Sequence, residues 1–276
     1  MKGIPSPSPS PLRGEGKGEG EETTMKVYFI GAGPGDPELL TLKAKRILET
    51  SDIVIYAGSL INPDILKFAR QEAVLHDSST MELEEILKIY REAKKAGRTV
   101  ARIHTGDLSI YSALQEQLDE CEKEGIDCEI IPGVSSYQAA AATLRRELTL
   151  PGVSQTLILT RISGRTEVPP TENLEKLAKT KATMVIFLSI HEIERVVAQL
   201  AKGYAEETPV AVVEKASWPE ERKIIGTLGN IAQKVKEAGI KRHALIVVGD
   251  VLGKTYRRSK LYDADFEHGF RKRKGP

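Results

Sequence analysis

The sequence lacks any run of apolar residues approaching the roughly 20 needed to span a bilayer, and its N-terminus lacks the hydrophobic centre of a secretion signal. Cysteine is scarce as well: with only Cys121 and Cys128, seven positions apart, a disulfide framework or a metal site is not expected. Net charge is nearly absent, because 40 Lys and Arg face 39 Asp and Glu, so no overall field favours nucleic acid or a membrane surface. We therefore expect a cytoplasmic protein with reduced thiols and with neither nucleic acid nor a membrane as a partner.

What is present is enough for a large core. The chain has 276 residues, 40% hydrophobic and 29% charged, which suits two domains. Residues 1–24 differ from the rest, because Pro, Ser, Gly and charged residues there cannot bury enough apolar surface to offset the entropy of ordering. We expect a disordered leader, and we hypothesise that the functional chain starts at Met25, directly before the first strand. The basic tail, 253–276, is expected to be a frayed, solvated terminus.

Between these ends, short β-rich runs alternate with helical patterns, which predicts parallel sheets covered by helices. We expect an N-terminal α/β domain over 25–144 and a C-terminal α/β domain over 155–252. The charged segment 145–154, with Pro151 and Gly152, is expected to be the linker. The predicted strands are Lys26–Ile30, Ile53–Tyr56, Thr99–His104, Asp127–Ile131, Thr156–Arg161, Thr183–Leu188, Pro209–Glu214, Lys223–Thr227 and Ala244–Val248.

A glycine-rich turn, Gly31–Asp36, follows the first strand and precedes a helical segment. Its glycines allow close approach of a phosphate, a carboxylate or a cofactor, and equally allow a plain tight turn. A P-loop is excluded, because Asp36 stands where that motif has its Gly-Lys-Ser or Gly-Lys-Thr. A dinucleotide fingerprint also fails, because its third glycine is missing and Tyr56-Ala57-Gly58 replaces the acid at the end of the second strand. An NAD-dependent oxidoreductase is therefore the less favoured alternative.

Two further turns follow predicted strands in the same way, at Thr105–Asp107 and Pro132–Ser136. The carboxyl ends of parallel strands share one edge of a sheet, so we expect these turns and Gly31–Asp36 to meet at one crevice. Asp107, Ser135 and Ser136 are equally suited to be helix N-caps, and that alternative stays open.

These residues together resemble the tetrapyrrole (corrin/porphyrin) methylase family. The resemblance runs from Met25 to about Leu252. The marks shared across the family are Gly31-Ala-Gly-Pro-Gly-Asp-Pro-Glu-Leu-Leu-Thr41, Thr105-Gly-Asp107 and Pro132-Gly-Val-Ser-Ser136. Narrower marks resemble the branch that methylates carbon 11 of precorrin-4 or cobalt-precorrin-4 in cobalamin biosynthesis: Tyr56-Ala-Gly-Ser-Leu60, His104-Thr-Gly-Asp107, Glu147-Leu-Thr149, Gln155-Thr-Leu-Ile-Leu-Thr-Arg161, Gly164-Arg-Thr166 and Phe187-Leu-Ser189. Branches acting on precorrin-2, precorrin-3 or uroporphyrinogen III remain alternatives, because they share the first set.

The resemblance implies a two-domain α/β fold, usually a homodimer, with S-adenosylmethionine held in an active-site trough between the domains. By motif position, the implied cofactor contacts are Pro34, Thr105, Gly106, Asp107, Ile110, Ser135, Ser136, Leu188 and Ala216. Two departures stand out. Leu108 replaces a proline common in the family, and Ala57 replaces an acid that uroporphyrinogen-methylating relatives place after the tyrosine of the second strand.

The implied chemistry, methyl transfer from a sulfonium to a ring carbon, depends mainly on positioning. The implied precorrin-type substrate carries many carboxylates, which arginine forks bind well. Arg161 and Arg165 are our candidates for holding it, against the alternative of exposed loop charges. His104 is a candidate for orienting the substrate or accepting a proton, against the alternative of a structural histidine at a strand end. No other catalytic residue is assigned.

Overall fold

A computed structural model of the chain describes residues 25–164, 166–254, 256–259, 266–267 and 269–271. The leader over 1–24, Arg165 and much of the basic tail lie outside these ranges. Within the described part of the chain, no helix is long and apolar enough to cross a membrane.

The first half of the chain builds a five-stranded sheet in the order β3-β2-β4-β1-β5, and every neighbouring pair is parallel, as the alternating pattern predicts. Its strands are β1 (Lys26–Gly31), β2 (Ile53–Tyr56), β3 (Val74–Asp77), β4 (Val100–His104) and β5 (Asp127–Ile131). β1 lies between β4 and β5, so the turns that follow these three strands are direct neighbours at one edge.

Five helices accompany this sheet: α1 (Leu42–Thr50), α2 (Pro63–Leu66), α3 (Leu83–Ala96), α4 (Leu114–Lys123) and α5 (Ser136–Leu144). Helix α3 illustrates how the sequence determines where these helices begin and end and which face they bury. It begins at a capping box between Glu82 and Glu85 and ends at Gly97, which adopts the left-handed φ of 63° that favours glycine. Its buried face carries the apolar residues spaced three and four apart, Ile86, Leu87, Tyr90 and Ala93. The sheet therefore has apolar cores on both faces, one against α3 and α4 and one against α1 and α2.

The second half builds another five-stranded sheet, in the order β6-β7-β10-β8-β9. Its strands are β6 (Leu157–Thr160), β7 (Thr183–Ile186), β8 (Pro209–Glu214), β9 (Arg222–Thr227) and β10 (Ala244–Val248). The helices are α6 (Leu174–Ala178), α7 (Ile193–Leu200) and α8 (Ile231–Glu237). The large apolar core of this half lies between these helices and one face of the sheet.

The expectation of parallel pairing is wrong for most of this second sheet. Only β6 and β7 run parallel, whereas β10 is antiparallel to both β7 and β8, and β9 is antiparallel to β8. The short connection from β8 to β9 explains part of this, because it is too short for the crossover that a parallel pair needs. The strand positions themselves agree closely with the predicted ranges.

The segment between β2 and α3 contains two elements that the sequence patterns did not reveal, α2 and β3. Strand β3 lies at the edge of the sheet, where Val74 and Leu75 are both exposed. Its neighbouring side chains therefore show no alternation between a buried and an exposed face, which is the pattern that identifies a half-buried strand.

Helix α5 joins the two halves. Its residues Ala139 and Ala140 are buried in a cluster with Val185 of β7, Val213 of β8 and Val247 of β10. These side chains occupy the face of the second sheet opposite its large core. The first half thus covers one face of the second sheet, and the sheet edges that carry the turns of the two halves are brought together.

Candidate active site

Three turns meet at the carboxyl edge of the first sheet through their glycines. Gly33 and Gly106 exchange backbone hydrogen bonds, with N···O distances of 3.1 and 2.8 Å. A Cβ on Gly31 would lie 2.6 Å from the nitrogen of Gly133 and 2.8 Å from the oxygen of Gly106. A Cβ on Gly133 would overlap the same carbonyl oxygen. The predicted convergence of the three turns is therefore confirmed, and it depends on the absence of side chains at these positions.

Asp107 ties two of these turns together. Its Oδ2 accepts a hydrogen bond from the backbone nitrogen of Gly133 at 2.9 Å, and its Oδ1 accepts from the backbone and the hydroxyl of Ser109. Partial burial acts to raise the pKa of Asp107, but the hydrogen bonds from Ser109, Gly133 and Leu108 outweigh it and hold the pKa below its usual value. A negative charge is therefore kept at the crevice. Asp107 is not a helix N-cap, because α4 begins at Leu114.

Ser135 and Ser136 occupy the beginning of α5. Ser135 is buried and is the N-cap, and it forms a capping box with Gln138, whose side chain accepts from the Ser135 nitrogen at 2.9 Å. The capping interpretation of Ser135 is therefore confirmed, while Ser136 is the first residue of the helix. The Asp107 carboxylate is bonded to Gly133, which lies three residues before the start of α5. The N-terminus of α5, with its partial positive charge, therefore lies close to this carboxylate.

The second sheet contributes the ends of β7 and β8. Both strands are antiparallel to β10, which lies between them, so their carboxyl ends share one edge. Leu188, just after β7, is 65% exposed and has a φ of 53°, a strained conformation for a side chain that would ordinarily be buried. Ala216, just after β8, is buried between Lys215 and Ser217, whose φ values are 47° and 70°. Strained backbone at both strand ends is typical of a binding site.

Contacts between side chains place the two edges against each other. The ring of Tyr111 lies 5.4 Å from that of Phe187, which directly precedes Leu188. Ile110 packs against the same apolar cluster as Phe187 and Ala216. Tyr111 itself has a φ of 53° and is 46% exposed. We call the region where Ile110 and Tyr111 of the first half meet Phe187 and Ala216 of the second half the trough.

His104 ends β4 beneath this trough. It is buried beside Phe29, and its Nε2 has no hydrogen-bond partner among the described residues. Burial, with a smaller contribution from the charge of Arg102, lowers the pKa of His104 to about 3. The imidazole is therefore neutral near pH 7, and burial that holds its pKa so low makes it a weak base, which favours the structural alternative.

Arg161 follows β6, and its guanidinium is held by its own loop. Nη1 donates to the carbonyl oxygens of Ile162 and Thr166, at 3.2 and 3.0 Å, and Nη2 donates to that of Glu167 at 2.8 Å. The side chain of Arg161 is thus fixed by the backbone of Ile162, Thr166 and Glu167. Partial burial raises the pKa of Tyr111, and the positive charge of Arg161 opposes that rise. Arg165, the second candidate, lies outside the described residues.

Two residues of this region escaped the sequence patterns. The nitrogen Nε1 of Trp218 donates to the carbonyl oxygen of Pro34 at 2.8 Å, and Nδ2 of the buried Asn62 donates to that of Gly35, also at 2.8 Å. Trp218 is the single tryptophan of the chain, and this rarity is the one sequence feature that could have drawn attention to it. The described residues contain no cluster of His, Cys, Asp and Glu that could hold a metal ion.

Comparison with known proteins gives concordant matches. The family model described as Tetrapyrrole (Corrin/Porphyrin) Methylases matches residues 26–232. The cobalt-precorrin-4 C(11)-methyltransferase of Methanocaldococcus jannaschii is 54% identical over 253 residues, which cover 91% of this chain and 98% of the relative. The precorrin-4 C(11)-methyltransferase of Sinorhizobium sp is 45% identical over 251 residues, covering 90% and 99%.

Solved structures agree with these relatives. A cobalt precorrin-4 methyltransferase described as a cobalamin biosynthetic enzyme matches with a TM-score of 0.83 and 40% identity, over 86% of this chain and 99% of that one. The uroporphyrin-III C-methyl transferase of Thermus thermophilus, complexed with S-adenyl homocysteine, matches with a TM-score of 0.70 and 27% identity, over 82% and 98%.

The low pKa of His104 predicts a specific loss of stability in acid. The unfolded chain binds a proton on this histidine near pH 6.5, whereas the folded chain does not until about pH 3, so its contribution is complete above pH 6.5 and declines as the pH falls toward 3. Replacing His104 by Gln should therefore reduce the stability lost between pH 7.5 and pH 5.0 by about 2 kcal/mol. Urea unfolding at the two pH values measures this difference.

The control is His191→Gln, because the side chain of His191 is 58% exposed. This variant should lose as much stability as the unaltered chain between the two pH values. Equal losses in the His104 variant and the unaltered chain would contradict the assignment of a buried neutral imidazole.

Proposed function

The chain belongs to the tetrapyrrole (corrin/porphyrin) methylases, and from that membership we propose that it methylates carbon 11 of precorrin-4 or cobalt-precorrin-4 in cobalamin biosynthesis, with S-adenosylmethionine as the methyl donor. The observation that carries the proposal is 54% identity across 98% of a relative of that activity. Ala57 adds support, because the acid that uroporphyrinogen-methylating relatives place after the second strand is absent here. The proposal covers both rings, because relatives named for precorrin-4 and for cobalt-precorrin-4 both match.

The residues around the trough fit a donor that has an amino-acid end and an adenosyl end. Asp107 stays ionised near neutral pH and can accept hydrogen bonds from an ammonium group. The N-terminus of α5, at Ser136, suits a carboxylate. Leu188, exposed in a strained conformation, and Ala216 supply apolar surface from the second half. On this basis the donor contacts are assigned to Pro34, Thr105, Gly106, Asp107, Ile110, Ser135, Ser136, Leu188 and Ala216.

Catalysis on this assignment is mainly positioning. S-adenosylmethionine supplies the methyl group on a sulfonium, whose thioether leaves without charge. The protein holds the donor between two rigid edges and excludes water with the apolar side chains of Ile110, Phe187 and Leu188. Arg161, which is held by the carbonyl oxygens of Thr166 and Glu167, is proposed to position a substrate carboxylate. A proton-accepting role for His104 has little support, because burial lowers its pKa to about 3 and makes the ring a weak base. We also propose that the boundary between the two domains lies within the linker 145–154.

Methyl transfer can be measured with labelled S-adenosylmethionine and each candidate ring separately. We expect label in precorrin-4 or cobalt-precorrin-4, and no label in precorrin-2, precorrin-3 or uroporphyrinogen III. Label in one of the latter rings without label in precorrin-4 or its cobalt form would overturn the proposed step and leave the family membership intact.

The variant Asp107→Ala should bind S-adenosylhomocysteine at least about ten-fold more weakly, because a hydrogen bond to a charged group is lost. Calorimetric titration measures the affinity. Asp119→Ala is the matched control, since Asp119 is exposed on α4 and bonds only to Gln115 among the interactions described for it. Thermal unfolding of both variants separates weaker binding from loosening of the Gly133 turn. Unchanged affinity in Asp107→Ala would remove this residue from the donor site.

We further propose a homodimer. The family resemblance implies one, and the edge strand β3 leaves the apolar side chains of Val74 and Leu75 44% and 47% exposed, which an isolated chain ordinarily avoids at a sheet edge. Light scattering on the purified protein should give twice the mass of one chain at micromolar concentration. The mass of a single chain across that range would contradict the proposal.

A further inference from the structure

The single tryptophan of the chain lies directly on the glycine-rich turn of the other half. Nε1 of Trp218 donates to the carbonyl oxygen of Pro34 at 2.8 Å, although 184 positions separate the two residues in sequence. A Cβ on Gly35 would overlap the indole ring. Gly35, whose φ is 155°, therefore makes room for a side chain of the same protein.

Three consecutive residues of this turn each have a separate anchor. Pro34 is held by Trp218, and the backbone nitrogen of Asp36 donates to the hydroxyl of Ser217 at 3.0 Å. The carbonyl oxygen of Gly35, between them, accepts from Asn62 at 2.8 Å. Two adjacent residues of the second half thus clamp the turn, while Asn62 fixes it to the first half.

The segment that carries this clamp is itself under strain and firmly supported. Lys215 and Ser217 both have left-handed φ values, at 47° and 70°. The backbone nitrogen of Ser217 donates to Oε2 of Glu221 at 2.7 Å, and the same oxygen accepts from the hydroxyl of Thr143 in α5 at 2.8 Å. Nζ of Lys215 lies 5.3 Å from the centre of the Trp218 ring. The strained conformation is therefore maintained by contacts with both halves.

Ala216 lies within this segment, and Pro34 is the residue that the indole contacts. Both are among the assigned donor contacts, so the clamp determines how far apart these two walls of the trough lie. We propose that Trp218 is a positioning residue for the methyl donor, which locks the Gly31–Asp36 turn against the segment that carries Ala216. This inference rests on the proposed function.

The variant Trp218→Phe tests the inference, because it keeps an aromatic ring and removes the N–H donor. We expect the Kd for S-adenosylhomocysteine to rise about five-fold, the effect of losing one hydrogen bond, and the KM for S-adenosylmethionine to rise in parallel. The KM for the tetrapyrrole should stay unchanged. If Trp218 only stabilised the fold, the variant would have a lower thermal midpoint, and the KM for S-adenosylmethionine would not rise separately from the KM for the tetrapyrrole.

The matched control is Tyr204→Phe. The hydroxyl of the buried Tyr204 also donates to a backbone carbonyl of the second half, that of Ala182, which lies just before β7 at the sheet edge away from the trough. This variant loses the same kind of hydrogen bond and should bind S-adenosylhomocysteine like the unaltered chain.

The unaltered protein provides a second measurement, because all tryptophan emission comes from Trp218. Saturation with S-adenosylhomocysteine should shift or quench that emission. Equal Kd values for the unaltered chain and Trp218→Phe would overturn the inference, and so would calorimetric binding that leaves the emission unaltered. Failure of the unaltered chain to bind S-adenosylhomocysteine would instead overturn the proposed function, and this inference with it.

Discussion

The close packing of three backbone turns at one sheet edge is the constraint on which the rest of the site depends. Gly31, Gly106 and Gly133 approach one another until no Cβ fits at Gly31 or Gly133. That approach follows from strand order, because β1 lies between β4 and β5. It brings Asp107 within hydrogen-bond distance of Gly133, which in turn sets the beginning of α5 beside a fixed negative charge.

Two titratable side chains near this edge show how the local environment assigns different roles. Asp107 is only partly buried and accepts several hydrogen bonds, so its carboxylate stays charged. His104, three residues earlier, is buried beside Phe29 and near the charge of Arg102, so its imidazole stays neutral. Asp107 therefore keeps a negative charge at the trough, whereas the neutral His104 is part of the core beneath it.

The second half completes the site by means that differ from the first. Its sheet is mostly antiparallel, yet β7 and β8 point the same way because both pair with β10 between them. Leu188 and Ala216, which directly follow these strands, are proposed donor contacts, and the residues after Ala216 bond to the glycine-rich turn. The turn first suggested a cradle for a phosphate. Its Gly35 instead accommodates Trp218, and its Pro34 is a wall of the proposed donor site.

Sequence alone determined the α/β class, most strand and helix positions, and the family, because hydrophobic periodicity and short turn motifs are local properties of the chain. It also identified the turns that meet at the first sheet edge, since parallel strands share that edge. Only the tertiary structure decided the antiparallel pairing in the second half, the edge strand β3, and the contact of Trp218 with Pro34. Each of these depends on residues far apart in the chain, and no local pattern records which distant partner a strand or a side chain will meet.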